Sequence, residues 1–513
     1  MMLLIHPPVA KPSEPPAGIS RLSGMLAARG VEHRLWDANI EGLLWLMGKP
    51  LLPGQADDAW TRRAEKNRDK NIASLRDPGL YRSIDRYTKV VKELGRLLSR
   101  VTPPSISVSP ANYEDHGLSP LRSRDLLAAA EQPELNPFYP FFSRRLMELF
   151  LEKEPAVVGI SLNYLSQALT AFSLMGLIRR EFPGLKIVAG GGLITSWMSN
   201  PGWQNPFSGL IDHLIAGPGE GQLLSFLGLQ ESNGETAGPD YTDLPIGSYL
   251  SPGLVLPYAA ASGCYWNRCG FCPEKAEANP YLPIAASQVI ADLQALREET
   301  SPALIHLLDN AVSPAVLHAL TKNPPGPRWY GFARVGAPLT DPAFCLSLRE
   351  AGCVMLKLGI ESGDQGVLDA MDKGISVETA SKVLKNLEAA GIATYVYLIF
   401  GTPPETEGAA RRTMEFTARH SGSISFLNLA IFNMPLCNAG ETGLETEGFS
   451  EGDLSLYTGF RHPAGWDRRK VRLFLEREFR PHRAISPIIR NDPPVFTSNH
   501  APFFAMAKQG LTG

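Results

Sequence analysis

Cysteine is scarce in this chain. Six thiols in 513 residues are too few for a disulfide-stapled scaffold. Long apolar runs are also missing: no stretch approaches the roughly 20 residues that span a bilayer. The start, MMLLIHPPVAKPSEPP, has no basic leader followed by an apolar core, so secretion is not expected. Neither sign of charge dominates. Forty-nine Lys and Arg against fifty-two Asp and Glu leave −3, and without a basic excess general nucleic-acid binding is disfavoured. Hydrophobic residues at 44% and charged residues at 20% sit near the globular average and argue against disorder. A single core stops growing near roughly 250–300 residues, so about two to three domains are expected. Together these features predict a cytoplasmic enzyme with no membrane partner.

The first forty residues read as strand, loop, helix, strand. Leu3-Leu4-Ile5 ends at His6-Pro7-Pro8, a helical spacing of Leu22, Met25 and Leu26 follows, and His33 to Asp37 makes a second strand. Residues 50–150 change character, with charged, proline-marked loops. One helical face there runs through Ile84, Tyr87, Val90, Val91, Leu94, Leu97, Leu98 and Val101, which suggests a helical insertion. Strands return at Ala156 to Leu162, at Leu185 to Ala189 before Gly190-Gly191-Gly192, and at Ile211 to Ala216 before Gly217-Pro218-Gly219-Glu220. This alternation implies an α/β fold with a doubly wound parallel sheet, whose ligands lie outside the carboxyl ends of the strands. Each glycine loop alone could be no more than a turn; several of them at strand ends favour a ligand cleft.

Residues 231–253 are rich in Gly and Pro and read as a linker. Beyond it, apolar strands are expected at 254–260, 303–308, 329–333, 354–360, 394–400 and 424–431. Helices alternate near 286–297, 314–321, 341–350, 376–389 and 405–418. Six repeats of this kind suggest a partial (β/α)6 barrel, with its chemistry at the carboxyl ends of the strands.

Three of the six cysteines, Cys264, Cys269 and Cys272, fall within nine residues just after the first of these strands. Three soft thiolates on one loop suit an iron–sulfur cubane and leave one iron open to a ligand. Zinc with a distant fourth ligand is the rival reading, although no second pair of Cys or His follows. Cys345, Cys353 and Cys437 are scattered; the first two read as buried packing residues.

At this point the chain resembles the radical S-adenosylmethionine superfamily, in particular its members with an N-terminal cobalamin-binding domain. The resemblance runs from residue 1 to about 435. Cys269-Gly270-Phe271-Cys272 matches the end of the family loop, while the first pair is spaced C-x4-C where C-x3-C is usual, so one residue within Tyr265-Trp266-Asn267-Arg268 must bulge. Leu307 to Asn310, Phe332-Ala333-Arg334, Lys357 to Gln365 with Met371 to Ile375, and Tyr397 to Thr406 resemble the later strand-end motifs, in family order.

The resemblance implies that Cys264, Cys269 and Cys272 hold a [4Fe–4S] cluster whose open iron is chelated by S-adenosylmethionine. Reductive cleavage then yields methionine and a 5′-deoxyadenosyl radical. Phe271 would pack near the adenine and Gly401 would admit the backbone there. Glu361 and Ser362 would bind the ribose or methionine part, and Arg334 the carboxylate; Asp309 would belong to the same site, a strand-end salt bridge being the plain alternative for Arg334 and Asp309. In the family, cobalamin sits against the N-terminal sheet. That implies contacts from Pro7, Pro8, Asp37, Asn39, Ser161, Leu162, Asn163, Gly190, Gly191, Gly192, Gly217, Gly219 and Glu220, without a cobalt-ligating D-x-H-x-x-G motif.

The expected organisation is therefore a cobalamin-binding-like domain at 1–230 with its insertion near 50–150, a linker at 231–253, a barrel at 254–435 and an extension at 436–513 that caps or closes the barrel. The favoured reaction is methyl transfer to an unactivated carbon of a small molecule or peptide, with flavodoxin or ferredoxin as electron donor. A cobalamin-free radical cyclisation, rearrangement or oxidation is the alternative. A non-catalytic cobalamin or iron–sulfur sensor is a third reading, which the Glu361-Ser362 and Gly401-Thr402-Pro403 motifs disfavour. No catalytic side chain is assigned.

Overall fold

Short apolar runs, each stopped by Gly, Pro or Asp, make the strands of two parallel sheets. The structure, a computed structural model, describes residues 1–52, 58–230, 237–447 and 451–510. The chain divides into two compact units: Met1–Pro252 with Ser450–Leu456, and Gly253–Phe449 with Tyr457–Gly513. Parts of the expected insertion (53–57), linker (231–236) and extension (448–450 and 511–513) lie outside the described residues.

The first unit carries strands β1 (Met2–His6), β2 (His33–Asp37), β3 (Val157–Ser161), β4 (Lys186–Gly190) and β5 (His213–Ile215). Their order is β2-β1-β3-β4-β5, parallel throughout. The chain winds from β1 to one edge and returns on the other side at β3, so the strand order reverses between β1 and β3. Such a reversal opens a crevice at the carboxyl ends of the strands. Met2, Leu3, Leu4 and Ile5 are all at most 2% exposed, as a strand covered on both faces requires.

Between β2 and β3 the chain forms mainly helices. Ile84–Val101 buries Tyr87, Val90, Val91, Leu94, Leu97, Leu98 and Val101, the face that its spacing predicts. An antiparallel hairpin, Ile106–Ser109 with Asn112–Asp115, was not expected. Its strands are four residues long, too short for their alternation to stand out beside the helices. The described part of the expected linker is packed into this unit: Tyr241, Leu244, Tyr249 and Leu250 are buried.

The second unit carries β6 (Val255–Tyr258), β7 (Leu304–Leu307), β8 (Arg328–Ala333), β9 (Cys353–Glu361), β10 (Ala393–Phe400) and β11 (Phe426–Ile431). All pair in parallel with their neighbours in chain order, and β6 and β11 form the two edges. Five of the helices between them begin with polar caps. Ser313, Asp341, Asp364, Ser376 and Thr406 accept from backbone N–H groups of the first turn, and Pro314 and Pro342 follow their caps directly. These caps fix where each helix starts and hence the length of each strand-end loop.

Residues 457–510 also pack on this sheet. Phe474 and Phe479 stack around Phe400, and Tyr395 donates its hydroxyl hydrogen to Asp492 at 2.5 Å. His500 is fully buried against Phe496, with ring centroids 4.1 Å apart. No helix among the described residues is long and apolar enough to cross a membrane.

Candidate active site

The cysteine loop leaves the carboxyl end of β6 and is pinned from several sides. Asp309, buried after β7, accepts from Ala260 N at 3.1 Å. Asn310 Nδ2 donates to Gly263 O at 3.3 Å. Gly263 itself has φ +70, and a Cβ there would lie 2.3 Å from Pro280 O, so only glycine fits. Gly270 N donates to Met371 O at 2.8 Å, and Trp266 Nε1 to Asp372 O at 3.1 Å. Trp266, one of the four residues between Cys264 and Cys269, thus seats its indole on the loop after β9.

Cys264, Cys269 and Cys272 are free and half-buried. Cys269 lies within electrostatic range of Cys264, Lys373, Arg334 and Glu361, and Cys272 of Cys269. Burial raises the Cys269 thiol above its ordinary value and pushes Cys272 up to about 11, so loading a metal must displace protons. Among the described residues the thiols are not closed into a metal-binding triad. As a donor set, three uncommitted thiols on one loop fit an iron–sulfur cluster.

Other strand ends converge on this loop. Glu361 ends β9 with φ +69, after a register shift against β10, a strained conformation of the kind that gathers at functional sites. Its Oε1 accepts from Lys373 Nζ at 3.0 Å, and both side chains are largely buried. Gly359 makes room for the pair, since a Cβ there would lie 2.4 Å from Glu361 Oε1. Arg334 donates to Lys373 O and lies 3.7 Å above the Trp266 ring. Phe271 packs with Ile399 against the cluster of Phe432, Met434 and Ala439, and Lys373 Nζ stands 5.4 Å from its ring. Ser362 is fully buried, pairs with Thr413 Oγ1 at 3.1 Å and accepts from Asp364 N at 3.1 Å. It holds the turn behind Glu361.

Gly401, with φ +78, donates its N–H to Glu405. Glu405 is fully buried and also accepts from Trp466 Nε1 at 2.9 Å. Burial raises its carboxyl to about 7, outweighing these two hydrogen bonds. His462 Nε2 pairs with Thr402 O at 2.9 Å, and its Nδ1 accepts from Ala464 N and Trp466 N. The tautomer with hydrogen on Nε2 is the one that satisfies all three. Sequence reasoning gave Lys373, Glu405 and Trp466 no role. The Glu405–Trp466 pair spans 61 positions, and no local pattern announces such a contact.

In the first unit, the residues expected around cobalamin all fall at the carboxyl ends of β1 to β5. Pro8 cannot donate a backbone hydrogen bond; the loop after β1 is held by Val9 N, which donates to Ser166 O at 3.2 Å, and by three carbonyls. Pro7 O accepts from Gln167 Nε2 at 2.7 Å, Val9 O from Ser166 Oγ at 2.8 Å, and Pro8 O from Thr170 Oγ1. Gln167 Oε1 in turn accepts from Asn163 N at 3.0 Å. Asn163 reaches Ser161 Oγ and takes Gly192 N, while Leu162 N donates to Gly190 O at 2.7 Å. Gly191 has φ +112, and a Cβ there would lie 2.5 Å from Leu162 O. Gly217 N donates to Thr195 Oγ1, and Glu220, following Gly219, pairs with Arg21.

Asp37 and Asn39 face inward. Asp37 caps the helix Ala38–Met47 and accepts from Tyr249 OH at 2.8 Å, and burial raises it to about 6. Asn39 Oδ1 accepts from Ala10 N at 2.9 Å. Their direct role is in loop geometry. One buried group at the crevice has no matching bond: His6 Nδ1, at the end of β1, lacks a partner, and burial lowers the imidazole to about 4.

With this geometry in place, comparison with known proteins is decisive for the second unit. The family model of the Radical SAM superfamily matches residues 260–417. The chain carries a radical SAM domain. The match takes in the cysteine loop and every strand-end group from Asp309 to Gly401. An uncharacterized methyltransferase of Pyrococcus horikoshii, PH0819, is 25% identical over 189 residues, which is 35% of this chain and 40% of the relative. The fold resembles that of TsrM from Kitasatospora setae, a radical S-adenosylmethionine methyltransferase solved with cobalamin and a [4Fe–4S] cluster. That match has a TM-score of 0.57 and 13% identity, and covers 99% of each chain. It also resembles OxsB, a cobalamin-dependent S-adenosylmethionine radical enzyme, with a TM-score of 0.52 and 15% identity over 84% of this chain and 53% of that one. The chain therefore spans less than two thirds of the length of the curated relative and of OxsB. The likeness to both solved enzymes is one of fold.

Proposed function

We propose that this chain is a radical S-adenosylmethionine enzyme that uses cobalamin to transfer a methyl group to an unactivated carbon of a small molecule or peptide. The observation that carries the reading is the loop of three free, half-buried thiols at the carboxyl end of β6, inside the matched domain and ringed by the charged ends of β8 and β9. Cys264, Cys269 and Cys272 would hold a [4Fe–4S] cluster. The Glu361–Lys373 pair, Phe271 and the Gly401 turn would receive S-adenosylmethionine. Bound there, these groups supply one-electron cleavage of a carbon–sulfur bond, and cobalamin supplies a methyl carrier.

One feature of the first unit fits a corrinoid. His6 Nδ1 is an orphaned buried group whose isolation costs about 1–3 kcal/mol unless a ligand meets it. Methyl transfer draws its support from PH0819 and TsrM, which carry that activity in their names. A one-electron donor such as flavodoxin or ferredoxin completes the requirement.

The test is anaerobic purification from cobalamin-fed cells, with iron, sulfide and cobalt measured on one sample. About four irons, the content of one [4Fe–4S] cluster, with one cobalt per chain is the expected result. Iron without cobalt, even after reconstitution, would replace methyl transfer with a cobalamin-free radical reaction. Zinc in place of iron would overturn the reading from Cys264 onward.

A further inference from the structure

The residue that makes the first cysteine spacing one longer than usual lies in the stretch containing Trp266, and that side chain is thoroughly engaged. Its Nε1 is bonded to Asp372 O at 3.1 Å. Its ring lies so close over Gly374 that a Cβ there would fall 2.1 Å from the indole. One guanidinium, Arg334, stands 3.7 Å from the ring centroid, and a second, Arg268, stands 5.0 Å away. Arg334 is also held by Lys373 O, and Cys269 lies within its electrostatic range. Stacking on an indole face and a hydrogen bond to a carbonyl together leave a planar guanidinium little freedom. The sequence resemblance assigns Arg334 to the cofactor carboxylate. The structure commits it to the cysteine loop.

We propose that Trp266 is a positioning residue that holds Arg334 on the cysteine loop, so that the charge of Arg334 sets the reduction potential of the cluster carried by the three thiols. The inference rests on the iron–sulfur reading above. A positive charge held near a ligating sulfur stabilises the more negative, reduced cluster, and net charge is an established lever on cluster potential. Trp266 is thus the platform on which Arg334 lies.

The experiment is an EPR-monitored redox titration of the reconstituted full chain without S-adenosylmethionine, paired with S-adenosylmethionine binding measured on the same preparations. R334Q is expected to retain its iron and to shift the midpoint to lower potential. W266A should shift it in the same direction. W266F, which keeps a ring face but not the bond to Asp372, should shift it less. An unchanged midpoint in iron-replete R334Q, with weakened cofactor binding, would overturn the proposal and return Arg334 to the carboxylate. Should R334Q fail to hold a cluster, R334K decides: its compact ammonium cannot stack as a plane, so a midpoint equal to the wild type would overturn the clamp. A wild-type protein that loads no cluster would instead sink the underlying iron–sulfur reading.

Discussion

Glu405 shows how much one buried side chain can control. It is fully buried, bonded to Gly401 N and Trp466 Nε1 through Oε2, with Oε1 unpartnered. Its carboxyl rises from 4.5 to about 7 because burial disfavours the charge. A raised pKa in the folded state means that the native protein binds the proton more tightly than the unfolded chain. The stabilisation is full below the unfolded value, falls as pH rises from about 4.5 to about 7, and is absent above, a loss on the order of 3 kcal/mol. E405Q mimics the protonated form. It should therefore flatten that part of the stability–pH curve, as measured by denaturant midpoints from pH 4.5 to 8. An identical slope in wild type and variant would show that Glu405 is not the titrating group. Asp37 is raised in the same direction and serves as the internal control, since its contribution stays in both proteins.

Among elements, the connection after β4 is tightly constrained. Gly190-Gly191-Gly192 turns the chain from strand to helix while touching the loop after β3, and Gly191 does so at φ +112 with Leu162 O in the way of any Cβ. An alanine there must bear both a left-handed conformation and a clash, so G191A should destabilise the first unit by roughly 2–4 kcal/mol. Circular dichroism during denaturant unfolding should show a transition moving to lower denaturant, while iron content stays at the wild-type level. An unmoved transition would mean that the β3 and β4 loops can separate without cost. The same loops were legible in the sequence as glycine-rich strand ends. Their mutual bonds, Asn163 to Gly192 and Leu162 to Gly190, were not, because 29 residues separate Asn163 from Gly192.

At the scale of the whole molecule, the chain places its cysteine loop in one unit and its doubly wound sheet in the other. Changing Cys264, Cys269 and Cys272 together to Ala should abolish iron–sulfur absorbance and reductive cleavage of S-adenosylmethionine. It should leave far-UV circular dichroism unchanged, because the thiols form no disulfide and lie half-exposed on a loop. A triple variant that still carries a full cluster would defeat the proposed function. Cobalt content in that variant should be unaffected, since every residue proposed for cobalamin lies in the first unit.

The sequence by itself determined the elements and their order. All six strands of the second sheet lie where alternating apolar runs predict them, because parallel strands covered on both faces read as continuous Val, Leu and Ile. The cysteine loop and the strand-end motifs were legible for a related reason: chemistry needs fixed residue types at fixed strand ends. Only the tertiary structure decided what those residues touch. It turned Asp37, Asn39 and Ser362 inward as loop and turn holders, paired Glu361 with Lys373, and gave Glu405 to Trp466. It also seated the Trp266 indole on the loop after β9. Periodicity records which face of an element is buried. The partner of a polar side chain depends on distant segments meeting in three dimensions, and one-dimensional spacing does not encode that meeting.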